Sequence, residues 1–242
     1  MTSAICRMAA SRRPSPAAFH CQEARSAFPP RPRGLTAPRR SRPTGWKGLF
    51  LGAALLAAPL LHGTPAEASP RSACLDAVRA AEAKYDLPDG LLVALALAES
   101  GLHAHAISVG GRAFYPDSRA EARTLLARSS ARGSVMAGCV QVNTKVHASN
   151  GSDWPLDPRR AADWAARYLR QHYDSSGNWA AAIRRWNGAG PKDNKLVCRV
   201  QAKLQVTSPN STALGRPNCG GSHMARMRRD GQALLELAEA PE

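Results

Sequence analysis

Between Leu91 and Glu99 the sequence reads Leu-Leu-Val-Ala-Leu-Ala-Leu-Ala-Glu, so that only the last of these residues is polar. Pro88 can start a helix before this run, and Gly101 suits a helix end after it. A helix that is apolar on every side has no face to offer to water and belongs in the centre of a domain. The sequence therefore predicts a compact helical domain built around this segment.

Residues that cap helices and residues that end them predict six further helices, and a turn signal predicts one short hairpin. Residues 102–117 are typical of a loop or hairpin, with Gly110 and Gly111 at the turn. We expect a mainly α fold: a single helical domain at 72–206 with a small loop or hairpin insert, followed by a linker and a peripheral tail at 207–242. The predicted helices cover 72–85, 118–132, a stretch that begins at Asp157-Pro158, 178–186, 192–206 and 222–238, and the predicted strands cover 107–109 and 113–115.

The N-terminal region has the features of an export signal. Residues 48–61 are the only sustained apolar stretch, and as a helix they rise about 21 Å, short of the roughly 30 Å hydrocarbon core of a membrane. Basic residues precede this stretch, and Ala66-Glu67-Ala68 follows it, as in a secretory signal peptide. We expect a signal peptide at 48–68, cleaved after Ala68, with no stable membrane span afterwards; a buried core helix is the alternative.

Residues 1–47 are rich in Arg, Pro and Ser and show no helical or strand periodicity. This composition predicts a disordered basic n-region, or a start codon placed too far upstream. Export from the cytoplasm predicts a periplasmic or secreted protein, most naturally of a Gram-negative bacterium.

The chain carries a formal charge of +15, and residues 69–242 hold 23 Lys and Arg against 16 Asp and Glu. Such a surplus attracts polyanions. It is either a solvated basic face or a surface for anionic cell-wall polymer. No nucleic-acid motif accompanies the charge, so we expect no nucleic-acid partner.

Four cysteines follow the predicted cleavage site, and an oxidising compartment would let them pair in any of three ways. They contain no C-x-x-C pair, which argues against structural zinc. His103 and His105 lack a third ligand and predict a solvated loop. We therefore expect neither a metal nor another cofactor. The cysteines are Cys74, Cys139, Cys198 and Cys219.

Glu99 is the candidate for chemistry, because a carboxylate is rarely buried without a partner or a purpose. Apolar surroundings disfavour its ionised form and raise its pKa, which suits a general acid in glycosidic-bond cleavage. On the pattern alone, a Glu that reaches solvent from the end of the helix is equally compatible.

Three motifs resemble, in order, those of the soluble lytic transglycosylase family. They are Glu99-Ser100, Gly138-Cys139-Val140-Gln141-Val142-Asn143, and the run from Ala182 to Pro191 that contains Trp186-Asn187. The family patterns are E-S, G-[L/C]-M-Q-[I/V]-N and A-x-x-Y-N-A-G, so Trp186 stands where the family has Tyr. The insert at 109–116 resembles the branch associated with conjugation and secretion systems.

The resemblance implies a lysozyme-like α+β fold and a lytic cleavage of peptidoglycan glycan strands. In that reaction Glu99 protonates the oxygen between N-acetylmuramic acid and N-acetylglucosamine, and then takes the proton of the C6 hydroxyl as a 1,6-anhydro ring closes. The substrate's own N-acetyl group would assist, since no second carboxylate is evident in the sequence. We interpret Asp157 as a helix cap, and Asp117 and Asp153 as acidic residues in loops.

The resemblance also implies that Ser100, Gln141, Trp186 and Asn187 bind substrate. Three of them have a structural alternative: Gln141 as the polar face of a short strand, Trp186 as a core aromatic, and Asn187 as a helix cap. The competing functions are a hydrolytic muramidase on the same fold and a wall-binding module with weakened activity, which the Trp at 186 favours. A transenvelope secretion, conjugation or flagellar apparatus is the implied partner.

Overall fold

The computed structural model describes residues 68–149 and 151–240 and is mostly helical. The predicted signal peptide at 48–68 and the basic region at 1–47 lie outside the described residues, except for Ala68. Within the described part, no helix combines the length and apolar character needed to cross a bilayer. The helices are α1 (Pro70–Lys84), α2 (Leu91–Glu99), α3 (Arg119–Ser129), α4 (Thr144–His147), α5 (Pro158–Ser176), α6 (Trp179–Trp186), α7 (Lys195–Thr207) and α8 (Gly221–Glu239). The strands are β1 (Ile107–Val109), β2 (Arg112–Phe114), β3 (Val135–Ala137) and β4 (Val142–Asn143), and a 3-10 turn spans Trp154–Leu156.

The expected mainly α fold with a small hairpin insert is confirmed, and α2 has the predicted bounds. Two helices are shorter than predicted. Helix α3 ends at Ser129, where the Ser130 hydroxyl donates to the carbonyl of Ala127. Helix α7 begins at Lys195, whose N–H is accepted by the Asp193 side chain. Strands β3 and β4 and the short helix α4 were not predicted.

Helix α2 lies at the centre of the main core and is buried at every position from Leu91 to Leu97. Helices α1, α7 and α8 pack against it. The N–H groups of its first turn have no partner within the helix, and Glu82 of α1 accepts them at 2.5 Å from Gly90 and 2.6 Å from Leu92. Burial raises the pKa of the Glu82 carboxyl, and these hydrogen bonds oppose that rise.

The four strands form one antiparallel sheet in the order β2-β1-β3-β4. Ile107 pairs with Phe114 on one side and with Ala137 on the other. Helix α3 packs over the sheet and closes a second, smaller hydrophobic core. The sheet therefore forms a separate lobe beside the helical core. This lobe contains the predicted hairpin insert.

Two disulfides select one of the three pairings that the sequence left open. Cys74 pairs with Cys139, which ties α1 to the loop before β4. Cys198 pairs with Cys219, which ties α7 to the segment before α8. The first bridge thus holds a loop that lies near the end of α2, and the second bridge holds the segment that leads into α8.

Helix α8 is not the peripheral tail that we expected. Its residues Leu235 and Ala238 are buried in the main core, and the helix packs against α7, α1 and α2. An amphipathic pattern predicts that such a helix exists but not which surface it covers. The C-terminal segment therefore completes the domain that 72–206 begins.

The backbone at Gly138, the first residue of the second motif, leaves no room for a side chain. Its φ is +80°, and a Cβ at this position would lie 1.8 Å from the carbonyl oxygen of Pro155. Its N–H donates to the carbonyl of Ala106 at 2.7 Å. No side chain fits here, so the loop that carries Cys139 and Gln141 depends on this residue.

Gly138→Ala is expected to lower the free energy of unfolding by about 3–5 kcal/mol, because it adds a backbone clash to left-handed strain. Gly110→Ala is the matched control: its φ is +56° and no atom lies within 4 Å of the added Cβ. That control should cost only about 1–2 kcal/mol. Denaturant unfolding of both variants measures the difference, and equal losses would contradict the close approach at Gly138.

Candidate active site

Glu99 is the last residue of α2 and lines a cavity of about 290 Å³. The cavity lies where the helical core meets the sheet lobe, with Tyr115 after β2 on its wall. Arg71 of α1, Arg199 and Lys203 of α7, and three residues of α8 also line it. A carboxyl group at the end of a buried helix thus opens onto a partly open cleft that charged and apolar side chains line together.

Burial raises the pKa of Glu99 to about 7. Part of the side chain faces the cavity, but protein atoms surround the carboxyl closely and disfavour its charged form. Two weaker influences lower the pKa: the positive charge of Arg199 and a hydrogen bond from the Trp186 side chain. Glu99 can therefore hold or release a proton near neutral pH.

Trp186 connects Glu99 to an aromatic cluster of half-buried rings on α4, α5, α6 and the 3-10 turn. Its ring centroid lies 5.6 Å from that of Trp164 and 5.9 Å from that of Tyr168. Trp164 and Tyr168 stack with their centroids 4.9 Å apart. Trp154, Trp164 and Trp186 of this cluster pack against the main core and are partly buried, so Trp186 fits the core-aromatic alternative, and its contact with substrate stays a prediction. The members of the aromatic cluster are His147, Trp154, Trp164, Tyr168 and Trp186.

Ser100 is buried and joins the first motif to the second. Its hydroxyl lies 2.6 Å from the carbonyl oxygen of Cys139, to which it donates, and it accepts the N–H of His103 at 3.1 Å. Ser100 also lines the cavity of Glu99. Its hydrogen bonds fix the loop that follows the carboxylate, and substrate contact by this residue stays a prediction.

Gln141 is buried and has a left-handed backbone, with φ at +51°. Its side-chain amide donates to the carbonyls of Ala106 and Gly138 at 3.2 and 3.0 Å. The residue precedes β4, which begins at Val142, so it does not form the polar face of that strand. Its amide hydrogens hold the loop between β3 and β4 to the segment before β1, and a role toward substrate stays a prediction.

Asn187 is exposed and caps the C-terminal end of α6, as its structural alternative predicted. It lines a second cavity, beside that of Glu99, together with Arg199, Cys219 and Met227. Arg199 and Met227 line both cavities. Asn187 thus lies close to the site without lining the cavity of Glu99.

His103 does not lie in a solvated loop as we expected. It is 7% exposed, its ring packs edge-on against Tyr115 at 5.4 Å, and burial lowers its pKa to about 4. The imidazole is therefore neutral at physiological pH. In residues 68–149 and 151–240, no group of three or more His, Cys, Asp or Glu residues is arranged to hold a metal ion.

The aspartates that we assigned to caps and loops have such roles. Asp157 accepts the N–H of Arg160 and caps α5, and Asp153 forms an ion pair with Arg123 at 2.9 Å. The carboxylate that sequence reasoning missed is Asp230 of α8, which lines the cavity of Glu99.

Arg199, Lys203 and the α8 residues were also absent from the predicted site. They come from segments more than 90 positions after Glu99, and no local pattern brings them to it. Burial lowers the pKa of Lys203, and the charges of Asp230 and Arg199 act on it in opposite directions. The site is thus basic on its α7 side.

Residues 76–204 match the family model described as the Transglycosylase SLT domain. The match covers more than half of the chain and contains Glu99, the second motif and the Trp186-Asn187 pair. No curated protein and no solved structure matches the chain. Helix α8 lies beyond the matched residues.

Glu99→Gln is expected to stabilise the protein at alkaline pH. Because the folded pKa is raised, the stability that protonated Glu99 contributes is present below its unfolded pKa and is lost as the pH rises through about 7. The variant should therefore match the parent at pH 4 and exceed it at pH 8 by on the order of 3 kcal/mol. Denaturant unfolding at the two pH values measures this, and a gap that does not change with pH would contradict the burial.

Proposed function

The chain belongs to the SLT transglycosylase family, and on that premise we propose that it is a lytic transglycosylase of peptidoglycan with Glu99 as its single catalytic acid and base. The observation that carries the proposal is the Glu99 carboxyl itself: it faces a cavity, and burial raises its pKa to about 7. A group with this pKa can donate a proton and take one back within a single turnover.

In the first step, protonated Glu99 gives its proton to the oxygen that links N-acetylmuramic acid to N-acetylglucosamine. The bond from muramyl C1 to that oxygen breaks, and the N-acetylglucosamine side leaves as an alcohol. Positive charge develops at C1 and is relieved by the carbonyl oxygen of the substrate's N-acetyl group. The buried carboxyl favours this step because its neutral form is the stable one below pH 7.

In the second step, ionised Glu99 takes the proton of the muramyl C6 hydroxyl, and the C6 oxygen bonds to C1. The N-acetyl oxygen is released, and the product is a 1,6-anhydro-muramyl end. Glu99 is protonated again, so the cycle consumes no water. Arg199 and the Trp186 hydrogen bond stabilise the ionised form between the two steps, since both lower the pKa of Glu99.

The other predicted site residues fit two roles in this proposal. Trp186 and the exposed ring surface of the aromatic cluster would stack on sugar faces. Ser100 and Gln141 would hold the loop of the second motif in place beside the substrate, and Asn187 would contact substrate from the end of α6. Trp in place of the family Tyr keeps a hydrogen-bond donor next to Glu99.

A hydrolytic muramidase is the second candidate, and Asp230 favours it. This second carboxylate lines the same cavity and could direct a water molecule to C1. A weakened wall-binding module is less consistent with a carboxyl whose pKa is tuned to neutrality.

For the cellular role, we keep the prediction of a periplasmic or secreted protein that opens the wall locally for a secretion, conjugation or flagellar apparatus. The predicted signal peptide and the resemblance at 109–116 support it.

Products released from purified peptidoglycan distinguish the candidates. We expect the protein to release muropeptides with 1,6-anhydro ends, and Glu99→Gln to lower their rate of release by roughly 10²–10⁴-fold. Mass spectrometry identifies the ends, and Glu121→Gln, an exposed cap of α3, is the control. Reducing ends would identify the muramidase, and wall binding without release would leave the binding module.

The pH dependence tests the role of Trp186. The first step needs protonated Glu99, so kcat/KM should fall as the pH rises through about 7. Trp186→Phe removes a hydrogen bond that lowers this pKa, and the fall should move to higher pH. Trp179→Phe on the same helix, where the ring stacks on Tyr173, should leave it in place. An unshifted fall in Trp186→Phe would contradict the interaction.

A further inference from the structure

A further pocket shares two residues with the aromatic cluster and lies along the first half of α5. It is open to the surface, and its volume of about 390 Å³ is within the range of ligand pockets. Two tryptophan rings, whose centroids are 5.6 Å apart, form part of its lining. Three arginines and one aspartate complete the lining, and we call it the arginine pocket. Its residues are Trp154, Arg159, Arg160, Asp163, Trp164 and Arg167.

The arginine pocket carries a positive charge that the protein itself does not neutralise. Asp163, the carboxylate in its lining, forms an ion pair with Arg167 at 3.5 Å and another with Lys84, which lies outside the pocket. Arg159 and Arg160 are exposed, and neither forms an ion pair within residues 68–149 and 151–240. Both guanidinium groups are therefore available to an anion.

These two arginines do not serve the helix that carries them. Arg159 and Arg160 lie in the first turn of α5, where the helix dipole disfavours positive charge, and no acidic residue lies in that turn. Residues that break a local rule without a gain in the fold are typical of functional sites. The arginines thus point to a ligand and not to stability.

The arginine pocket lies close to the proposed active site. Trp164 lines the pocket, and its ring centroid is 5.6 Å from that of Trp186, whose side chain forms a hydrogen bond with Glu99. A polymer bound at Glu99 therefore needs to extend past only two side chains to reach the arginine pocket.

We propose that the arginine pocket binds carboxylates of the peptide stems on the glycan strand, so that the enzyme prefers strands with negatively charged stems. This inference rests on the proposed function and specifies its substrate. In a strand that carries stems, the lactyl carboxyl of N-acetylmuramic acid is bound as an amide, so the negative charge lies in the peptide. Guanidinium groups bind carboxylates in a bidentate geometry, and the two indole rings offer apolar surface to the attached sugar or stem.

The test compares two forms of one substrate. Uncrosslinked glycan strands with intact stems are used directly, or after a carbodiimide and ammonia have converted the stem carboxylates to amides. This treatment removes charge and keeps the length of strand and stem. We expect the parent to cleave the charged strands with a kcat/KM about 5–10-fold higher, the size expected for two exposed ion pairs. The difference should lie in KM, because the pocket binds substrate without contacting the cleaved bond.

A double variant assigns this preference to the arginine pocket. Arg159→Ala/Arg160→Ala should lower kcat/KM on the charged strands to the value for the amidated strands, and leave the latter value unchanged. Thermal unfolding should show a midpoint no lower than that of the parent, because the helix dipole disfavours both arginines. A clear drop would mean that they serve the fold and would contradict the inference.

Arg128→Ala/Arg132→Ala is the matched control. It removes the same charge from two exposed positions, in the last turn of α3 and shortly after it, that line neither the arginine pocket nor the cavity of Glu99. This control should keep the preference of the parent.

Each outcome decides the inference separately from the function. Equal kcat/KM of the parent on both strands would overturn it and leave the pocket to another acidic ligand. A preference that survives in Arg159→Ala/Arg160→Ala, or that the control loses equally, would overturn it in favour of general charge attraction.

Absence of anhydro ends with every protein would instead reject the proposed function. Calorimetric titration of Glu99→Gln with the two strands then tests the pocket alone, because binding of stems does not need the acid. Tighter binding of the charged strands is the expected result, and equal binding would overturn the inference.

Discussion

Desolvation of one carboxyl group links the fold of this protein to its chemistry. Helix α2 is buried at every position from Leu91 to Leu97, and its C-terminal residue is Glu99. The helix that anchors the core therefore also carries the carboxyl to the cavity. Glu82 accepts the N–H groups at one end of α2, and Ser100 ties the other end to the loop of the second motif. The position of the acid is thus fixed by the core.

The pKa of Glu99 near 7 is a balance of opposed influences. Burial raises the pKa, and Arg199 and Trp186 lower it by favouring the ionised form. Such a balance suits a group that must serve as acid and then as base, because neither protonation state is strongly disfavoured at neutral pH. Helix α8 lines the same cavity, so a segment outside the family match contributes to the environment of Glu99.

Local signals in the sequence predicted most of the helices and singled out Glu99 as the candidate acid. Asp157 and Asn178 cap α5 and α6 as expected, and the apolar run of α2 defined the core. Long-range features could not be predicted from local sequence. They are the cysteine pairing, the burial of His103 and the position of α8 beside Glu99, and each depends on segments far apart in the chain. The left-handed backbone of Gln141 also has no local signal, since the residue type rarely adopts it. The motif residues were found by resemblance, and their contacts only by the structure.

The most direct test of this account is an NMR titration of the Glu99 carboxyl. The side-chain carboxyl carbons of isotopically labelled glutamates would be followed from pH 3 to pH 9, with Glu99→Gln used to assign the signal. We predict a midpoint near pH 7 for Glu99. A midpoint close to the ordinary value of about 4.3 would show that the carboxyl is solvated. The proposed link between the buried helix, the raised pKa and the acid–base role would then be wrong.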